Sequence, residues 1–213
     1  MSRRRRALLG VAAAACVALA ALLAVTAVDA RRWDDAVAAG DVRYRGAPED
    51  QKLWHPSTLA PGDPAGKLLG VGDDVRFREA VRALRLGRLD LGFSSDPAIA
   101  LPRAEAQARL AKVAESDPEL QRRSRGLGLL GVLSFAGSFY ESRGQASLVA
   151  EAVSAFQGAI ALDPGNEEAK ANLEQALQRR RSLAALAGAG AADPAPGGEG
   201  SRGAGAANTG SGY

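Results

Sequence analysis

The chain reads as an all-α protein, and three observations carry that reading. Ala152, Phe156 and Ala159 place a small, a large and a small residue on one helical face, and Pro164 closes the stretch. Ala106, Leu110, Val113 and Pro118 repeat the same steps of four, three and five residues. Ahead of both lies an uncharged run from Ala7 to Val28, followed later by a helical apolar stripe at Val75, Phe77, Val81 and Leu84.

Arg3 to Arg6 form a basic flank, residues 1–6, before the apolar run of 7–28. At about 1.5 Å per residue that run spans roughly 33 Å, enough for the hydrocarbon core of a bilayer. Four arginines precede it, whereas Arg31 and Arg32 after it are offset by nearby aspartates. The asymmetry predicts a single-pass anchor in the cell membrane with a cytoplasmic N-terminus and the bulk of the chain extracytoplasmic. Cleavage after a small-residue site at Val28-Asp29-Ala30 is the alternative, although a secretory apolar core is usually about 7–15 residues. Apolar sequence continues past Cys16, which argues against a lipoprotein site there, and Ser2-Arg3-Arg4 fits a twin-arginine signal poorly.

Residues 29–74 are expected to form an irregular juxtamembrane segment, with 29–40 extending the membrane helix or starting a short one. Pro48, Pro56, Pro61 and Pro64 break helical periodicity in 41–74, while Leu53, Trp54, Leu59, Leu68 and Leu69 are apolar enough to pack on the helical body. Asp73 or Asp74 is expected to cap the next helix. The helical domain is expected over 75–182. Within it, 75–86 and 104–115 are helices, 92–102 is a connection, 124–135 is the buried centre, 136–149 is an inserted turn region and 166–182 is a final capping helix. From 183 to 213 the chain is rich in Gly, Ala, Ser and Pro, a composition expected to remain disordered.

The spacing Ala152, Phe156, Ala159, Pro164 resembles the second helix of a tetratricopeptide (TPR) repeat. Ala106, Leu110, Val113 and Pro118 make a degenerate earlier copy. Leu127-Gly128 stands where a TPR places its Leu-Gly pair, and Asn172-Leu173 takes the corresponding place after Pro164, with Glu174 in the glycine position. The copies lie 46 residues apart against a usual period of about 34, so an insertion is expected between the two helices of the hairpin. The resemblance covers roughly residues 104–178. It implies antiparallel helical hairpins that bind another protein. The stretch Asp163 to Glu174 is also similar to TPR components encoded beside MoxR-type ATPases and von Willebrand factor A (VWA) proteins, the Bat-like systems. That implies a VWA-domain or MoxR-associated membrane protein as partner and a role in assembling envelope complexes.

Composition narrows the chemistry. Cys16 is the only cysteine, so neither an internal disulfide nor a cysteine zinc site can form. His55, the only histidine, sits in Trp54-His55-Pro56 and reads as a loop residue without ligand spacing around it. No cofactor, metal or catalytic residue is assigned, and the chain is not expected to be an enzyme. The 27 basic residues less the four of the N-terminal cluster leave 23 against 24 acidic ones, so the basic balance belongs to the membrane flank and not to a nucleic-acid surface. Arg179-Arg180-Arg181 is expected at a helix end, complementing the dipole. Gly126-Leu127-Gly128-Leu129-Leu130-Gly131 matches G-x-G-x-x-G literally but lacks a preceding strand, so its glycines are expected to relieve crowding between helices.

The function these features predict is a membrane-anchored protein-interaction scaffold. Phe139 and Tyr140 are candidate contact residues, with packing into the hairpin core as the alternative. A self-associating membrane organiser and an extracytoplasmic hydrolase using Glu141 or Glu151 are the competing functions, and homo-oligomers remain open.

Overall fold

A computed structural model describes residues 3–50, 52–87, 97–141 and 144–190. The described residues are all-helical: α1 (Arg3–Gly46), α2 (Pro64–Leu69), α3 (Val71–Leu86), α4 (Pro97–Ser116), α5 (Leu120–Gly137), α6 (Gln145–Leu162) and α7 (Glu167–Gly190).

Helix α1 is 44 residues long, about 66 Å. Its N-terminal part is long and apolar enough to cross a membrane, and its residues from Leu8 to Ala24 are exposed. The helix does not stop where the charges begin. Residues 29–40 extend the membrane helix, one of the two expectations for them, and 41–46, expected to be irregular, continue it because 53–65 supply a partner for that stretch. Trp33 of α1 packs in one cluster with Leu53, Trp54, Ala65 and Val75. Gly46 and Pro48 then end the helix, with Ala47 N–H donating to Arg43 O at 2.8 Å.

Trp54 shows what fixes this junction. Its backbone is left-handed, φ 64°, a conformation that costs a side-chain-bearing residue about 1–2 kcal/mol. The residue is 2% exposed, so burying about 150–250 Å² at about 25 cal/mol/Å² contributes up to about 4–6 kcal/mol and outweighs that strain. Its Nε1 donates to Asp41 at 2.8 Å, and a Cβ at Gly40 would lie 2.4 Å from the ring. Arg82 donates to Pro48 O, and Arg85 to the carbonyls of Tyr44 and Arg45. These bonds bind α3 to the end of α1.

The remaining helices stack in chain order, α3 on α4, α4 on α5, α5 on α6 and α6 on α7, and α5 also reaches α7. Helix α6 is also long and apolar enough to cross a membrane, but it packs between α5 and α7 in this stack. Its buried face is Val149, Ala152, Val153, Phe156 and Ala159. With Ala176, three of these form a second core cluster on which Val132, Phe135, Leu173 and Leu177 pack.

Several expected boundaries move. Residues 136–149 are not a long loop: 136–137 complete α5 and 145–149 open α6, each 18 residues long. The extra length between the two similar spacings is therefore largely extra helix. Asp73 and Asp74 do not cap α3. Gly70 is the N-cap, and the two acids sit in the first turn, paired with Arg76 and Arg78. Asp63 caps α2 instead, accepting from Gly66 N at 2.9 Å. Residues 97–102, expected as connection, are helical despite Pro102, whereas 92–96 lie outside the described residues. The final helix runs through 183–190, since Leu183-Ala184-Ala185-Leu186 are strong helix formers, so Arg179 to Arg181 are mid-helix and not terminal. Residues 191–213 of the expected tail are outside the described residues.

Candidate protein-docking face

Helix α5 presents a different face to each neighbour, and its glycines show how. Gly126 lies against α4, where an added Cβ would meet Ala114 N and Val113 Cγ1 at 3.3 Å. Gly131 lies against α6, where a Cβ would fall 2.6 Å from Phe156 Cε1. Both relieve helix crowding as the sequence predicts. Gly128 does not, for nothing lies within 4 Å of its Cβ position. The G-x-G-x-x-G match is thus interior α-helix, with two glycines used for close approach.

The third face of α5 is half-buried toward α7 and becomes exposed at its C-terminal end. Arg125, Gly128, Val132, Phe135 and Phe139 follow one another at intervals of three and four residues and so share one side of the helix and its terminal turn. At its start, Arg125, Gly128 and Val132 line a cleft of about 140 Å³ together with Phe77 of α3 and Asn166 and Asn172 beside and on α7. At its end Phe135 and Phe139 meet edge to face, ring centroids 5.2 Å apart, and the Arg179 guanidinium stands 4.8 Å over the Phe139 ring. Phe139 and Tyr140 are 52% and 51% exposed, so neither is a core residue. The end of α5 is held by Ser138, which is fully buried and donates to Phe135 O at 2.7 Å.

Of the residues named for repeat packing, Ala106, Leu110, Ala152, Phe156 and Ala159 are fully buried and Val113 nearly so. Leu127 and Leu173 are half-buried, the former 3.3 Å from a Cβ placed at Gly158. Pro118 and Pro164 are exposed in the turns that follow α4 and α6.

Those turns are alike in detail. Asp117 N–H donates to Val113 O at 3.1 Å, and Asp163 N–H to Ala159 O at 3.0 Å. Each aspartate side chain then accepts from the backbone two residues on, Asp117 from Glu119 N at 2.8 Å and Asp163 from Gly165 N at 2.9 Å. The aspartate before each proline makes an Asx turn while the proline prevents the helix from continuing. Asp117 also binds Arg122 at 3.0 Å. Burial opposes the Arg122 charge, but the hydrogen bond and charge of Asp117, with Glu119 and Asp74, raise its pKa above the usual value.

One polar network has no counterpart in the sequence-based expectations. Ser124, fully buried on α5, donates to Ala159 O at 2.8 Å and accepts from Asn166 Nδ2 at 2.9 Å. Asn166 Oδ1 in turn accepts from Ala169 N at 3.0 Å, capping α7. Asn166 just before Glu167-Glu168 was a readable cap signal; a serine inside a helical stretch gives no sign of its partner.

Elsewhere, Glu151 lines a cleft of about 280 Å³ with Arg103, Gln107, Leu130 and Leu133, while Glu141 is exposed past α5 and does not line it. Arg103 is buried and donates to Gly87 O at 2.8 Å; its burial pulls its pKa below the usual arginine value. His55 Nδ1 is 2.7 Å from Leu53 O and Nε2 is 3.5 Å from Glu79. Among the described residues no group of three or more His, Cys, Asp or Glu is placed to hold a metal ion.

No protein-family model, curated protein or solved structure matches the chain.

Proposed function

We propose that this chain is a membrane-anchored, TPR-like adaptor that docks another protein on the exposed end of α5. The observation that carries the reading is the aromatic pair at that end. Among the described residues, Phe139 and Tyr140 are the exposed aromatic side chains, and Phe139 terminates a stripe that begins at Arg125. Aromatic side chains beside an arginine are the groups that most often concentrate binding energy at an interface. Arg125 and Arg179 flank the stripe, which suits a helical or extended apolar segment carrying acidic residues at its edges.

The matched Asp-Pro turns after α4 and α6 support reading these helices as two copies of one repeat. In this proposal α1 is a single-pass anchor with its basic end in the cytoplasm and the helical array in the envelope outside. The likeness of residues 163–174 to TPR components of MoxR/VWA systems makes a VWA-domain or MoxR-associated membrane protein the partner to test first. The role is binding, without catalysis.

The test is crosslinking in intact membranes with the full chain and with the Phe139→Ala/Tyr140→Ala variant. The proposal expects a heterologous adduct that falls about tenfold or more in the variant, as loss of about 1–2 kcal/mol per aromatic anchor implies. Helical content should be unchanged. Adducts between copies of this chain alone support the self-associating organiser. A heterologous adduct of undiminished yield in the variant refutes this docking face.

A further inference from the structure

Residues 57–63 form a loop pinned to α1 at three points, and the order of the pins gives its direction. Arg32 Nη1 donates to Ser57 O at 3.0 Å. Asp29, three residues nearer the apolar run, accepts from Leu59 N and Ala60 N, each at 2.8 Å. The chain then turns back, and Asp63 accepts from Trp33 Nε1 at 3.1 Å. The tip, Leu59 to Gly62, is therefore the part of this loop closest to the uncharged stretch of α1. It reaches the end of that stretch, because Asp29 immediately follows Val28.

Burial along α1 agrees. Val25 and Thr26, on the same face as Asp29 one turn lower, are half-buried, whereas residues 8–24 are exposed. At the tip itself Leu59 is 55% exposed and Pro61 is exposed, while the neighbouring Ala60 is buried. Tryptophan often marks a bilayer boundary, but Trp33 is turned inward here, 9% exposed and bonded to Asp63. Asp29 adds no lipid-facing charge at this depth, because its side chain is fully buried and its oxygens are taken by backbone N–H groups.

We propose that the 59–62 tip rests in the interface of the bilayer that α1 crosses, with Leu59 and Pro61 at the boundary between headgroups and acyl chains. A single exposed leucine on a water-facing surface is ordinary. This one is fixed within about one helical turn of the end of a membrane-length apolar helix, where an exposed apolar side chain meets lipid. The inference rests on α1 being a membrane anchor, and it adds that the helical body is seated on the bilayer.

Site-directed spin labelling tests it. In a Cys16→Ala background, single cysteines at Leu59, Pro61, Val17 and Gln178 are labelled in the full chain and reconstituted into phosphatidylcholine vesicles. Accessibility to oxygen is compared with accessibility to a water-soluble nickel complex. Labels at 59 and 61 are expected to favour oxygen several-fold over the label at 178, and the label at 17 to favour it most. Labels at 59 and 61 that match 178 while 17 remains in hydrocarbon overturn the seating but leave the anchor intact. A water-exposed label at 17 overturns the anchor and the seating together.

Discussion

Gly128 and Gly131 differ by three residues on one helix, and alanine at the two sites is expected to shift stability in opposite directions. Helix propensity alone favours Ala over Gly by about 0.8–1.0 kcal/mol. At Gly128 nothing lies within 4 Å of the new Cβ, so that gain is realised and Gly128→Ala stabilises by about 0.5–1 kcal/mol. At Gly131 the Cβ would fall 2.6, 2.8 and 2.9 Å from three ring atoms of Phe156, which is fully buried and has no open side to move toward. Overpacking costs about 1–3 kcal/mol, and three contacts under 3.0 Å place this site in the upper half of that range, so Gly131→Ala is destabilising by about 1–2 kcal/mol net of the propensity gain. The two variants should differ by about 2 kcal/mol, roughly 5–10 °C in Tm for a folded region of this size. Thermal unfolding of the full chain in detergent micelles, followed by far-UV circular dichroism, measures it. Phe156→Leu combined with Gly131→Ala should recover part of the loss relative to the sum of the single changes. A Gly131→Ala protein at least as stable as Gly128→Ala would refute the packing of α5 on α6 through this glycine.

Two further outcomes follow from buried polar groups. Ser124→Ala leaves Asn166 Nδ2 without its acceptor and should cost about 1–3 kcal/mol, whereas Ser182→Ala, which removes an exposed bond to Gln178 O, should stay within about 0.5 kcal/mol; equal Tm values would refute the network. The Asp29 carboxyl is held below the usual range, first by the hydrogen bonds from Ala60 and Leu59. Its contribution to stability is thus complete above a pH of about 4 and is lost as pH falls through the lowered folded value. The Leu59 and Ala60 amide NMR shifts should titrate with a midpoint below about 4, and not at all in Asp29→Asn; a midpoint at or above the usual carboxylate value would refute it.

The helices were legible in the sequence because their signals are local. Alternation of small and large residues at 152–159 names the buried face of α6 wherever that helix ends up. The Asp-Pro pairs mark helix ends because an aspartate carboxylate can bond the chain two residues on. Contacts set by distant partners were not legible. Which glycine of α5 meets a neighbour depends on the rotation of α5 against α6, so Leu127-Gly128 resembled the repeat signature while Gly131 makes the contact. Residues 41–74 looked irregular because of their prolines, while the contacts that hold the end of α1 were not legible: Gly40 and Asp41 meet Trp54 and Trp33 meets Asp63, 13 to 30 residues away. The expected insertion at 136–149 is shorter in the structure, confined to the stretch between Gly137 and Gln145, for a related reason. A longer hairpin and a longer loop give the same spacing between motifs, and only the pairing of α5 with α6 separates them.

The continuity of α1 bears on how an adaptor of this kind would work. A binding domain on a flexible tether samples many orientations, and its partner must wait for a productive one. Here the segment from Asp29 to Gly46 is continuous helix, about 27 Å long, bonded to the 54–63 loop through Asp29, Arg32, Trp33 and Asp41 and to α3 through the Tyr44 carbonyl. With α1 in a bilayer as proposed, the exposed end of α5 would be held at a set height and tilt and not swung on a linker. Such a face loses little orientational freedom when it binds a partner that is itself fixed in the same membrane, and gains nothing comparable with a partner that diffuses freely. That asymmetry is a physical reason to look for the partner among membrane proteins first.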